Sequence, residues 1–176
     1  MPLQVVVAAY SGNAPEKLRQ QAHRLVQGLR ACRPGSVVLL GGYRGLMREV
    51  ADAARDAGLP MVFVIPRGYE GDAYPEGSIV IRTGLDTRER SSILVRSGDV
   101  VVVLGGAIGT LFEVLIACSY KIPVFFLKGS GLQTDRFANC FKDGVVDDRI
   151  GRCIEYFDSV EELLKRLCGH RVRKSS

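Results

Sequence analysis

The sequence predicts a single doubly wound α/β domain with a mainly parallel sheet, and three observations carry that expectation. Short β-branched runs alternate with longer amphipathic segments along the chain. The runs are continuously apolar, as in "DVVVVL" and "IPVFFL", which is the pattern of strands buried on both faces. Small or polar residues stand at the ends of several of them, where a parallel sheet binds its ligands. At 176 residues the chain can build one domain with a substantial core.

The elements follow in order. "LQVVVAAY" reads as a first strand, and "PEKLRQQAHRLVQGLRA" as a helix with Leu18, Ala22, Leu25 and Leu29 on one face. "SVVLLGG" is a second strand, and "RGLMREVADAARDAG" a helix closed by Gly58. "LPMVFVIP" is a third strand, stopped by Pro66. After the loop "RGYEGDAYPEG" comes the short strand "SIVIRTG", then the helix "LDTRERSSILVRSG" with Asp86 as its N-cap. "DVVVVL" leads through glycines into the helix "TLFEVLIACSY". "IPVFFL" is the next strand, "GSGLQTD" a loop, "RFANCFKDG" a short helix and "RCIEYF" a last strand. In the final helix, "SVEELLKRLC", Ser159 and Glu162 have capping-box spacing. Residues 1–168 therefore read as one Rossmann-like domain, and residues 169–176 as a basic, disordered tail.

Composition narrows the function classes. The net charge of +5 is modest and concentrated near the carboxyl end, at Lys165, Arg166, Arg171, Arg173 and Lys174. No nucleic-acid-reading motif accompanies it, so no nucleic-acid partner is expected. No apolar run reaches the roughly 20 residues that span a bilayer, and the first residues lack the basic start of a signal peptide. A cytoplasmic protein without a membrane partner is expected. The five cysteines, Cys32, Cys118, Cys140, Cys153 and Cys168, form no C-x-x-C pair and have no histidine cluster. They read as free thiols, with no metal site.

Four strand ends carry the candidate binding residues: Ser11 and Gly12 in "YSGN", Gly41, Gly42 and Gly45 in "GGYRG", Gly84 in "TGLD", and Gly105, Gly106, Gly109 and Thr110 in "GGAIGT". Glycine lets backbone N–H groups approach a ligand, and a helix starting at Gly109 and Thr110 aims its positive end at the same spot. A phosphate is the natural occupant, although any one such turn can also serve only a tight strand-to-helix connection. Neither the dinucleotide fingerprint nor a Walker A loop fits, because position 107 is Ala and no G-K-[ST] occurs. Arg90, just before "DVVVVL", has a planar fork suited to phosphate or carboxylate. Glu113 follows the glycines within one turn, where it can act on a ligand or simply favour the helix dipole. His23 and His170 are expected to lie far from Ser11, which rules out a serine hydrolase. These residues alone point to a binder of a phosphorylated small molecule, with hydrolysis a further option.

"GGYRGLMREVADAARDAG" resembles the G-G-x-x-G-L-M-x-x-V-A-D-A-A segment of the Lonely Guy family, cytokinin riboside 5′-monophosphate phosphoribohydrolases long labelled lysine decarboxylases. "GGAIGTLFE" resembles that family's P-G-G-x-G-T-x-x-E motif, with Gly105 in place of Pro, Ala107 in place of Gly and Phe112 in place of an acidic residue. The run "TGLDTRERSSILVRSGDVVVVLGGAIGT" and the later "TDR" are closer to a branch with molybdenum cofactor carrier proteins and uncharacterised prokaryotic homologues.

The resemblance implies Arg90 and Glu113 as catalytic residues and a homo-oligomer paired through its helices. It implies hydrolysis of nucleoside 5′-monophosphates to free base and ribose 5-phosphate, with Met47 either near the base or in the core. The alternative is a non-catalytic carrier that binds molybdenum cofactor as its ligand, with Thr134, Asp135 and Arg136 on a loop closing over it. Cys118 is poorly placed for a thiol contact to that ligand. Lys121 and Lys128 have no surroundings suited to a pyridoxal phosphate Schiff base, so lysine decarboxylation is rejected.

Overall fold

The computed structural model describes residues 1–172. The elements run β1 (Gln4–Ala9), α1 (Glu16–Cys32), β2 (Val37–Leu40), α2 (Gly45–Asp56), β3 (Met61–Ile65), β4 (Ile79–Arg82) and α3 (Thr87–Arg96). They continue with β5 (Val100–Gly105), α4 (Ile108–Ser119), β6 (Val124–Leu127), α5 (Gln133–Cys140), β7 (Ile154–Phe157) and α6 (Val160–Cys168). A 3-10 turn at Arg67–Tyr69 lies between β3 and β4.

The strands form one seven-stranded sheet in the order β4-β3-β2-β1-β5-β6-β7, and every pairing within it is parallel. The chain thus winds outward from β1 to one edge, returns through α3 to β5, and winds outward to the other edge. The reversal between β1 and β5 opens a crevice at the carboxyl ends of these two central strands.

Alternate residues of each strand serve opposite faces. Val5, Val7, Val38, Leu40, Phe63, Val100, Val102 and Phe125 join the buried faces of α1, α2 and α6 in one core. Val6, Ala8, Leu39, Val64, Val101, Val103 and Phe126 join α3, α4 and α5 in the other. The predicted face of α1 is buried at Leu18, Ala22, Leu25 and Leu29. Gly58 takes a φ of 67° just beyond α2. Asp86 starts α3 in a reciprocal capping box with Glu89, and Ser159 Oγ accepts from the Glu162 N–H at 3.2 Å. α4 and α5 both begin slightly before their predicted starts, so Gly109 and Thr110 lie inside the first turn of α4.

The cysteines depart from expectation. Cys32–Cys168 joins the ends of α1 and α6, and Cys118–Cys153 joins α4 to the approach to β7, which leaves Cys140 as the free, exposed thiol among the described residues. Chain spacing concealed these pairs because packing brings their Cα atoms to 5.8 and 5.3 Å, within bridging range. The thiol argument for a reducing compartment therefore falls away. Among the described residues no helix is long and apolar enough to cross a membrane.

Beyond α6, Arg33 donates to the carbonyls of Cys168 and His170, and the His170 ring packs edge-on against Phe125. The remainder of the basic tail, with Arg173 and Lys174, lies outside the described residues.

Candidate functional site

A cavity of about 270 Å³ opens over the β1/β5 reversal. Tyr10 and Ser11 enter it from β1, residues 107–110 from the turn after β5, and Arg88, Arg90 and Ser91 from α3. Glu113 on α4 and Tyr69 on the 3-10 turn complete its principal polar and aromatic lining. Arg90 and Glu113 are 4% and 9% exposed, so both charges have been taken almost wholly out of water.

These two groups form the site's ionic centre. Arg90 Nη1 approaches Glu113 Oε1 at 3.4 Å, and Ser91 Oγ donates to the same oxygen at 3.2 Å. The other oxygen, Oε2, has no hydrogen-bond partner among the described residues. Arg90 Nε is also buried without one. Burial pushes the Glu113 carboxyl above its ordinary range, against the opposing pull of the Arg90 charge and the Ser91 hydrogen bond. Burial lowers the Arg90 guanidinium, against the attraction of Glu113. Gly41, at the end of β2, is what makes room: a Cβ there would collide with Arg90 Nη1 and stand 3.0 Å from Cζ.

The glycine turn is stapled from behind. Gly106 donates its N–H to Thr134 Oγ1 at 3.1 Å and accepts from the Thr134 N–H at 3.1 Å. That N–H is therefore already engaged, and it is not among the donors open to a ligand. The open donors are those of the first turn of α4, which have no intrahelical acceptor and begin at Ala107, an N-cap with no side-chain hydrogen bond. Arg88 reaches over Gly109, its Nη1 lying 3.4 Å from where a Cβ would stand. A helix N-terminus and an exposed guanidinium thus converge at one end of the cavity.

Tyr69 walls the cavity from the side. Its ring carries the Arg44 guanidinium at 4.0 Å, and Arg44 is itself gripped by Asp72 at 3.0 and 2.9 Å. Tyr74 donates to the Tyr69 carbonyl at 2.9 Å. A Cβ at Gly42 would stand 3.0 Å from the Tyr69 ring, so the bare glycine fixes how closely the ring sits. Met47 lines the cavity and is also part of the core.

Of the residues singled out in the sequence, Ser11, Arg90, Gly109, Thr110 and Glu113 meet in the cavity, with Gly41 directly behind Arg90. Gly12 and Gly45 pack backbone to backbone where α2 meets the end of β1. Gly105, at φ 111°, turns the chain against Ser130, and Gly84 accepts two hydrogen bonds from Arg67. Asp135 accepts from the backbone N–H groups of Gly129, Ser130 and Gly131, so it organises its own loop. Thr134 is fully buried. His23 bonds Glu49, and neither histidine lines the cavity that contains Ser11.

Arg88, Ser91 and Tyr69 were missed. The first two sit beside Arg90 on α3 and could have been found by projecting that helix. Tyr69 lies in a loop whose path has no periodic signal.

An all-parallel Rossmann-like sheet with a polar cavity over its reversal point defines a class of small-molecule-binding α/β domains. Within it, the chain belongs to the SLOG cluster4 family, which it matches over residues 3–163.

Over 84 residues it is 34% identical to a cytokinin riboside 5′-monophosphate phosphoribohydrolase of Rhodococcoides fascians, a match covering 44% of this chain and 42% of that protein. The crystal structure of a protein designated TM1055 superposes with a TM-score of 0.82 at 37% identity, covering 94% of this chain and 98% of that one. The molybdenum cofactor binding protein of Rippkaea orientalis superposes with a TM-score of 0.74 at 26% identity, covering 95% and 98%. The chain is thus similar both to a phosphoribohydrolase and to a molybdenum cofactor binding protein.

Proposed function

We propose that the cavity binds a phosphorylated, nucleoside-like small molecule and that the protein hydrolyses nucleoside 5′-monophosphates to free base and ribose 5-phosphate. The observation that carries this reading is the buried Arg90–Glu113 pair beside the uncapped N-terminus of α4. The phosphate lies at the first turn of α4 under Arg88, with Ser11 and Thr110 as hydroxyl donors. This assigns the phosphate clamp to Arg88, because the Arg90 guanidinium is committed to Glu113. The base lies toward Tyr69 and Met47, and the ribose between them, over Glu113.

In the reaction the N-glycosidic bond breaks with its electron pair leaving on the base nitrogen, which takes up a proton. Water adds to the sugar carbon and loses its own proton. Positive charge develops on the ribose meanwhile. Ionised Glu113, whose Oε2 is unengaged, holds ribose hydroxyls and stabilises that charge in a water-poor site. Arg90 and Ser91 keep the carboxylate oriented by holding its other oxygen.

Chromatography of AMP and a panel of other nucleoside monophosphates, incubated with the protein and with Glu113→Gln, tests the reading. Base and ribose 5-phosphate released by wild type alone establish it. Release by neither, or by both equally, rejects the catalytic role.

A second reading, a carrier of molybdenum cofactor, is favoured by one feature. Phe112, where phosphoribohydrolases carry an acid, places an aromatic ring 5.8 Å beneath Arg88. The 26% identity to the Rippkaea orientalis protein over nearly the whole chain supports it as well. The bound ligand is then the pterin phosphate, retained without turnover. Cys118 is disulfide-bonded and 1% exposed, so it offers no thiol contact to such a ligand.

The assembly proposed is a homo-oligomer paired through α3 and α4. Ile93, Ile108 and Leu115 on these helices are exposed at 40%, 69% and 41%, an apolar surface that a second copy would cover. Light scattering coupled to size exclusion would read its mass.

A further inference from the structure

A second cavity, of about 340 Å³, lies on the opposite edge of the sheet, at the amino ends of β6 and β7. Pro123 and Ile150 give it an apolar side, backed by the buried Ile122, and Lys121, Arg152 and Arg166 give it cations. Arg166 is neutralised by Glu155, which it meets at 3.0 and 2.8 Å. Lys121 and Arg152 have no carboxylate within ion-pair distance among the described residues. Arg152 makes one long hydrogen bond, from Nε to the Ile154 carbonyl at 3.4 Å.

The backbone supplies an independent observation. Lys121 has a φ of 53°, the one left-handed non-glycine residue among those described. It occupies the closing position of α4, with its N–H on the Cys118 carbonyl at 3.0 Å and the Ile122 N–H on the Ala117 carbonyl at 2.8 Å. Glycine is the unstrained choice at that position. A cation near a helix carboxyl end is favourable, but an unstrained neighbour could supply it equally well. Keeping the ammonium at this strained position is what sets Lys121 apart. Cys118 and Cys153 then tie the two segments together with their Cα atoms 5.3 Å apart. Lys121 follows the first of these cysteines closely and Arg152 directly precedes the second, so the bridge fixes both cations relative to each other.

We infer that this cavity is a binding site for a small organic anion whose phosphate or carboxylate is held by Lys121 and Arg152 while its apolar part lies on Pro123 and Ile150. The site is separate from the carboxyl-edge cavity and does not depend on what that cavity binds.

The test titrates 1-naphthyl phosphate into the isotope-labelled protein and follows backbone amide resonances. Saturable shifts are expected at residues 121–125 and 150–155, with affinity falling about tenfold in Lys121→Gly and in Arg152→Gln and unchanged at this edge in Arg88→Gln. Lys121→Gly should melt no lower than wild type, because it relieves the left-handed strain, so its loss of binding cannot be ascribed to unfolding. Shifts confined to the carboxyl edge, equal affinity in the variants, or no saturable shift at millimolar probe would each overturn the inference.

Discussion

Glu113 Oε1 lies 3.4 Å from Arg90 Nη1 across 23 residues of chain, and the pair is almost wholly withdrawn from water. Such a pair is costly to bury and more costly to break, since removing one partner strands the other charge for about 3–5 kcal/mol. The pair lines the same cavity as the first turn of α4 and Tyr69, and under the proposed function its role in the site accounts for that expense.

Titration of Glu113 has opposite consequences for stability and for turnover. Its pKa is raised above the ordinary 4.5, so the folded protein keeps a proton that the unfolded chain has released. The stability this contributes is complete below the ordinary value and is lost as pH rises through the raised one. Calorimetry of wild type against Glu113→Gln should therefore show wild type losing ground as pH increases across that window. Under the proposed hydrolysis, which uses the ionised carboxylate, turnover should rise across the same window. Melting curves that track each other at every pH would contradict the raised value.

Gly41→Ala should damage the site more than the fold. The new methyl group would push the Arg90 guanidinium off Glu113, and a displacement of about 1 Å in a catalytic group can cost about a hundredfold in rate. The cost in stability should stay within about 1–3 kcal/mol, the usual range for overpacking. Kinetics and melting of the same preparation separate the two effects.

Tyr69 should discriminate ligands with a planar ring from those without one. Tyr69→Ala is expected to weaken AMP by roughly tenfold, as loss of an aromatic stacking surface does, and to leave ribose 5-phosphate unchanged. Tyr69→Phe should retain AMP affinity. Equal losses for both ligands in calorimetric titration would assign Tyr69 to the shape of the cavity alone.

Each disulfide should stabilise the protein by about 2–4 kcal/mol, chiefly by restricting the unfolded chain. Cys32–Cys168 spans 136 residues and Cys118–Cys153 spans 35, so denaturant unfolding should show the larger loss for Cys32→Ser. Before reduction, alkylation followed by mass spectrometry should label Cys140 alone.

The alternation of apolar runs and amphipathic segments was enough to specify strands, helices and a parallel sheet, because periodicity and burial are local properties of the chain. Arg90, Glu113 and the turn at Gly109 and Thr110 were also legible as neighbours, because they lie on or beside the two segments that flank β5, and they do line one cavity. Three things had no local signal.

Tyr69 reaches the cavity along an irregular loop, and its orientation depends on Arg44, Asp72 and the missing side chain at Gly42. The use of each N–H was equally hidden. Gly106 has the residue type of a phosphate cradle, yet Thr134, 28 positions onward, takes its donor. The cysteines tell the same story, for spacing without a motif says nothing about which helix ends meet. Residue chemistry in the sequence determined what kinds of group the crevice contains. The tertiary structure alone decided which of them are free to meet a ligand, because a donor or charge becomes available only once its neighbours in space have been counted.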